Sequence, residues 1–293
     1  MPVAVRAARY HRAKAGFDAE DFHRAETANL PEKSLEQILY LEDTYLPDVD
    51  YLTAASPLIG KAYGSLYPDL RPVTINNVFS IAQQLPALPL LGEKALKLFW
   101  FSQTVGSNRG IEEAIHAIGI TKKRDILLHL LGSCSAAVRA DLEELATRRG
   151  LQRDQLVFMP TVAPDRLIRI AAQFDVGLAL ELAVPLNRDL ALTNKIFTYL
   201  LAGNAIIASN TRSQAAFMNQ YPAIGKTYDI GDVPTFASHI QYFYENRGAL
   251  NQCKLQAWEL GKNELNWEKE RVRFLRIVEG VLGPAPVESG NQV

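Results

Sequence analysis

Two short stretches of the chain carry residue types suited to holding an anion. The first is Gly106-Ser107-Asn108-Arg109-Gly110, which lies between the apolar run ALKLFWF and the amphipathic run IEEAIHAIGI. Where a strand turns into a helix, free N–H groups point out of the helix start, and an arginine there can hold phosphate oxygens through two parallel bonds. Flanking glycines let the backbone come close to a ligand. Ser102 and Gln103, just after the apolar run, belong to the same candidate site. The second stretch is Thr193-Asn194-Lys195, which opens the helical pattern KIFTYLLAG after a long polar loop. Thr193 or Asn194 suits a helix cap. Lys195 then stands in the first turn, where a cation opposes the helix dipole unless an anion is bound. An ordinary turn that contains Arg, and a solvated lysine, are the plain alternatives.

A third stretch, FDAEDFH at positions 17–23, gathers Asp18, Glu20, Asp21 and His23 after a short strand. Glu20 and His23 are the candidates for acid–base work, although the spacing matches no standard zinc site or two-carboxylate site. A histidine in a surface ion pair is the alternative. Asp232 reads as an N-cap, Gly203 as a left-handed helix end, and His129 as a satisfied core histidine. The chain has no nucleophile elbow, HExxH, Walker lysine or GxGxxG fingerprint, which disfavours hydride-transfer or epimerase chemistry on a dinucleotide. No metal site is expected.

The elements that must position these residues follow from periodicity. From residue 94 short apolar runs alternate with amphipathic segments: ALKLFWF, DILLHLLG, QLVFMP, DVGLALEL and NAIIASN read as strands buried on both faces, each followed by a helix. Such an alternation predicts a doubly wound α/β domain with a parallel sheet, which binds ligands at the carboxyl ends of its strands. Residues 1–80 give only two or three strand–helix units and open on a helix. Ser56 with Pro57 marks a helix start in this part. The proline-containing stretch 81–93 reads as a linker, 94–265 as the main domain, 266–282 as a C-terminal helix, and 283–293 as a disordered tail.

Composition sets further bounds. The chain of 293 residues is 48% hydrophobic and 22% charged, with 31 basic against 32 acidic residues. That balance points away from nucleic acid. Cys134 and Cys253 have no CxxC or CxxH spacing and read as reduced thiols. No apolar run reaches the length of a membrane span, and the basic N-terminus has no signal-peptide core. The expectation is a cytoplasmic protein. Arg6, Arg9, His11, Arg12 and Lys14 leave peripheral contact with anionic lipid open, beside the reading of a solvated helix face.

Taken in order, these segments resemble a retaining GT-B glycosyltransferase, similar to glycosyltransferase family four. FSQTVGSNRG resembles the family's glycine-rich turn, with Arg109 and Gly110 at its basic-residue–glycine pair. NKIFTYLLAGNAIIASN resembles its lysine-bearing helix, glycine and strand, and YDIGDVPTFASHI its late Gly–Asp turn. NWEKERVRFLRIVEGVL resembles the C-terminal helix that packs back on the first domain. The resemblance implies two Rossmann-like domains, the first incomplete. It implies a UDP- or GDP-linked sugar donor held by Ser102, Gln103, Gly106, Arg109, Gly110, Asn194, Lys195 and Thr198, and a sugar or lipid-linked acceptor. It implies hexosyl transfer in polysaccharide or glycoconjugate assembly, without a metal or other cofactor. The chain departs from the pattern at four places. Thr198 stands where the family commonly has glutamate, Leu190 at the earlier acidic position, Gln103 at a basic one, and Glu20 where relatives carry histidine. The opening strands of the first domain have no counterpart. An inactive partner protein, with an uncovered sheet edge that a homodimer would bury, is therefore the alternative function.

Overall fold

The computed structural model describes residues 1–29, 31–89 and 95–283. Residues 90–93 of the expected linker and 284–293 of the expected tail lie outside the described residues. Within them, strands form two sheets, one of three and one of six, all parallel.

The first unit runs α1 (Pro2–His11), β1 (Gly16–Ala19), α2 (Glu32–Tyr45), β2 (Tyr51–Ala54), α3 (Pro57–Leu66) and β3 (Val73–Thr74), with sheet order β1-β2-β3. Phe17 pairs with Leu52, and Thr53 with Val73. Ser56 Oγ accepts the Ile59 N–H at 3.2 Å and starts α3 with Pro57 in its first turn. Gly16 is required by close approach, because a Cβ there would sit 2.0 Å from the Tyr51 ring.

The second unit contains β4 (Leu96–Val105), α4 (Ile111–Thr121), β5 (Ile126–Cys134), α5 (Ala136–Arg148), β6 (Leu156–Met159), α6 (Pro164–Ala171) and β7 (Val176–Ala179). There follow α7 (Leu186–Leu190), α8 (Asn194–Ala202), β8 (Ala205–Ser209), α9 (Arg212–Gln220), β9 (Gly225–Tyr228), α10 (Val233–Glu245) and α11 (Arg247–Asn263). The sheet order β6-β5-β4-β7-β8-β9 reverses direction between β4 and β7. That reversal opens a crevice at the carboxyl ends of the two strands. Side chains of β4 alternate between two cores. Leu96, Leu98 and Trp100 pack with α4 and α10, while Phe99 packs with α6 and α8. Gly177 on β7 makes room for the Tyr199 ring of α8, whose hydroxyl lies 3.2 Å from the Phe99 carbonyl and 3.1 Å from that of Leu178. The α8 helix is thereby tied across the reversal point.

Two local readings need correction. Strand β4 continues to Val105 rather than ending at Phe101, with its register to β5 interrupted between Phe101 and Thr104, so Ser102 and Gln103 lie in an irregular part of the strand and not after it. Helix α4 begins at Ile111, behind Gly110, where the amphipathic run starts. The loop after β7 holds a short helix, α7, and its Leu190 and Leu192 are buried. His129 also departs from expectation, since its Nδ1 is buried without a hydrogen-bond partner. Gly203 does take a left-handed φ of 72°, and Asp232 Oδ1 does accept the Thr235 N–H at 3.0 Å. Cys134 and Cys253 are unpaired.

The units are joined by specific contacts. α12 (Trp267–Leu282) starts with the Trp267 N–H donating to Phe79 O at 3.0 Å, and its Phe274 ring meets Tyr51 edge-on at 6.2 Å. Asn76 donates to Glu270 at 2.6 Å and Ser80 to Glu268 at 2.7 Å. On the other side, α7 enters the first unit. Asn187, buried, accepts the Phe22 N–H at 2.7 Å and donates to Asp21 at 2.6 Å. Leu190 packs among Phe22, Leu52, Ile59 and Tyr63.

Candidate functional site

The carboxyl ends of both sheets face a cleft of about 190 Å³. Glu20, Asp21, Ala55 and Asn77 line it from the first unit, and Thr193 and Asn194 from the start of α8. Four of the residues singled out in the sequence, Glu20 and Asp21 on one side and Thr193 and Asn194 on the other, therefore meet across one cleft. His23 is not among its lining residues; its Nδ1 lies 3.2 Å from Glu26, as a surface pair would. Glu20 accepts a hydrogen bond from Asn77 at 2.9 Å. Burial, and after it the neighbouring Asp18 carboxylate, hold Glu20 above the usual carboxylate range, with the Asn77 bond pulling the other way.

Two of the candidates, Gly110 and Lys195, meet the residues that follow β7. Gly110, at φ 75°, lies against Leu180, and a Cβ there would come within 2.8 Å of the Leu180 side chain. Only glycine fits that conformation and that approach. The next residue, Glu181, bonds the Lys195 ammonium at 2.6 Å. Lys195 also lies over the Trp100 ring of β4, 5.5 Å from its centroid. The turn 106–110 and the first turn of α8 thus flank the reversal between β4 and β7. Arg188 of α7 adds a hydrogen bond to the Asn108 carbonyl at 3.3 Å. Asn108 takes a positive φ of 58° and its N–H donates to Glu112 at 3.2 Å. Arg109, half-exposed, makes no hydrogen bond or ion pair with the described residues.

Lys195 differs from its reading as a cation awaiting an anion. It is 8% exposed and already paired with Glu181, which also takes the Thr193 hydroxyl at 3.4 Å. Glu181 is itself fixed by Ser209, whose Oγ accepts the Glu181 N–H at 2.9 Å and donates to its carbonyl at 2.6 Å. Sequence reasoning missed Glu181. Its signal was a lone carboxylate directly after a buried strand. Thr198 is fully buried and its hydroxyl has no partner. Ser102 is half-buried and Gln103 exposed on β4.

A pair of parallel α/β units with a cleft between their strand ends is the GT-B architecture. No protein-family model matches the sequence, and none of the curated proteins does. Solved structures match the fold. The chain superposes on Anabaena HepE, solved with UDP and glucose, with a TM-score of 0.75 at 14% identity, covering 95% of this chain and 75% of that one. For a glycosyltransferase from Rickettsia africae the values are 0.73, 15%, 96% and 74%. The pneumococcal O-GlcNAc transferase GtfA, solved with UDP and GlcNAc, gives 0.69 at 13% identity, with 97% of this chain and 55% of that one covered. The fold is GT-B-like, and the chain is shorter than these neighbours. Among the described residues no helix is long and apolar enough to cross a membrane.

Proposed function

We propose that the chain binds a nucleotide-sugar donor at the reversal point of the second sheet and works as a retaining glycosyltransferase. The observation that supports this best is the meeting of Gly110, Trp100 and Lys195 at the end of β7, beside a cleft whose far wall carries Glu20. A nucleoside diphosphate is the ligand that such a site suits. Arg109, unpaired among the described residues, supplies one positive charge at the start of α4, and Lys195 supplies another at the start of α8. Both would stabilise charge that develops on the diphosphate as the sugar–phosphate bond breaks. Lys195 is already paired with Glu181, and a phosphate that draws the ammonium towards itself competes with that ion pair. Glu20, on the opposite wall, faces the acceptor side. The donor nucleotide is UDP or GDP by the resemblance, and the acceptor a sugar or lipid-linked molecule.

A second reading rests on the same contact. With Lys195 held by Glu181, Thr198 in place of a carboxylate and three strands in the first sheet, the chain would be a donor-binding relative without turnover that serves as a partner protein. A thermal-shift panel of UDP, GDP, ADP and their sugar conjugates separates the two. A ligand of the folded state alone raises Tm. A rise with one nucleotide, lost in Arg109→Ala, and slow release of that nucleotide from its sugar conjugate are expected. Binding without release favours the partner reading. No shift with any nucleotide sinks the donor site.

A further inference from the structure

At the pole of the second unit away from the cleft, a hollow of about 340 Å³ has a charged lining that is wholly basic: Lys122, Lys123, Arg124 and Arg149. It lies where α4 leads into β5, at the amino ends of the strands, whereas the cleft lies at their carboxyl ends. The sequence builds it deliberately. Gly119 lets the ends of α4 and α5 touch, since a Cβ there would come within 2.6 Å of the Arg149 carbonyl oxygen. That contact sets the segment TKKRD beside TRRG. Lys122 ends α4 at a left-handed φ of 54°. Gln155, 3% exposed, fixes the wall, with its amide donating to Lys123 O at 2.9 Å and Ile126 O at 3.0 Å and its carbonyl accepting the Gln152 N–H at 2.9 Å.

The charges there are left without partners of opposite sign. Among the described residues no carboxylate forms an ion pair with Lys122, Arg124 or Arg149. Two nearby acids have other partners: Asp125 accepts the Tyr244 hydroxyl at 2.8 Å, and Glu144 pairs with Arg148 at 3.2 Å. Lys123 lies over the Tyr244 ring at 5.3 Å. The whole chain has a net charge of −1, so this is a local accumulation and not general basicity. Basic residues at helix carboxyl ends offset the helix dipole, which accounts for Lys122 and Arg149. It does not account for Lys123 and Arg124, which follow the helix. A concave, positively charged recess lined by two guanidinium groups concentrates anions and suits phosphate oxygens.

We propose that this hollow binds a phosphate-bearing anion, at a site separate from the cleft. Two sources share that chemistry: a soluble polyphosphate and the phosphate of a lipid headgroup. The test uses the full chain carrying Arg109→Ala, so that the cleft contributes little. One arm titrates tripolyphosphate by calorimetry at low and moderate salt. The other measures co-sedimentation with phosphatidylcholine vesicles, with and without phosphatidylglycerol. The comparison protein adds Lys122→Ser, Arg124→Ser and Arg149→Ser. These side chains are on the surface, and an unchanged Tm confirms that the variant folds; if Tm falls, Arg124→Lys with Arg149→Lys takes its place and is expected to lose binding by a smaller factor without loss of fold. Salt-sensitive binding that drops at least about tenfold in the triple variant is expected, since salt screens exposed charges and the variant removes three of them. Tripolyphosphate binding alone names a soluble ligand, and phosphatidylglycerol-dependent sedimentation names a headgroup. Binding in neither arm, or binding that survives the triple substitution, overturns the proposal.

Discussion

Replacing Glu181 by Gln tests the donor site most directly, because the substitution acts on a charge and leaves the shape nearly unchanged. In the structure Glu181 and Lys195 form an ion pair at 2.6 Å with side chains only 13% and 10% exposed. A diphosphate that draws Lys195 away leaves the carboxylate facing a new anion. Two unit charges ~5 Å apart at an effective dielectric of ~20 repel by about 3 kcal/mol. Residual solvent and the hydrogen bond from Thr193 reduce this, so a net of ~1–2 kcal/mol is expected. Glu181→Gln should therefore tighten nucleoside diphosphate binding by roughly 5- to 30-fold. Lys195→Met should weaken binding by ~1–3 kcal/mol through loss of a charge-assisted bond. It should also destabilise the protein by ~3–5 kcal/mol, because a nearly buried carboxylate then has no counter-charge. The double variant should recover much of that stability. Calorimetric titration with UDP or GDP, with thermal melts of the four proteins, completes the cycle. Unchanged or weaker binding in Glu181→Gln would refute the competition and make Glu181 a ligand contact or a purely structural group.

Further outcomes follow from other contacts. Thr198→Val removes a fully buried hydroxyl with no partner; a gain of ~1 kcal/mol is expected in chemical denaturation, with nucleotide affinity unchanged. Gly110→Ala forces a side chain into a left-handed φ and against Leu180; a loss of ~1–3 kcal/mol and weaker nucleotide binding are expected in melts and titrations. Glu20 is held above its usual range, so its ionised form is disfavoured in the folded protein. Its contribution is favourable at low pH and is lost as pH rises through the folded-state value. Glu20→Gln should raise Tm near neutral pH and lose that advantage below the ordinary carboxylate range, as a pH series of melts would show. Asn187→Ala strands the Phe22 N–H and the Asp21 carboxylate; a loss of ~1–3 kcal/mol and faster amide exchange around residue 22 are expected.

Local features of the fold were legible in the sequence, and long-range ones were not. The alternation after residue 94 gave the parallel sheet because strands buried on both faces read as short unbroken apolar runs. Ser56, Asp232 and Gly203 declared their helix ends because capping depends on neighbours a few residues away. The polar residues Ser102, Gln103 and Thr104 hid the last part of β4, since they break the apolar run although the backbone still pairs with β5. The engagement of Lys195 depends on Glu181, 14 positions earlier on another element, and periodicity carries no record of such a pair. The seat of α7 in the first unit was equally hidden, because Asn187 and Phe22 are 165 positions apart.

The position of Leu190 means that the boundary between the units in space differs from the boundary along the chain. Its side chain belongs to the core of the first unit although it is threaded between β7 and α8 of the second. Anyone building hybrids from two such chains would meet this at once. A crossover placed between β3 and β4 would separate Leu190 and Asn187 from the surface that they fit. A hybrid that carries residues 186–190 over with the first unit keeps that seam matched and should express as a soluble, cooperatively melting protein, where the simple exchange gives a mismatched plug.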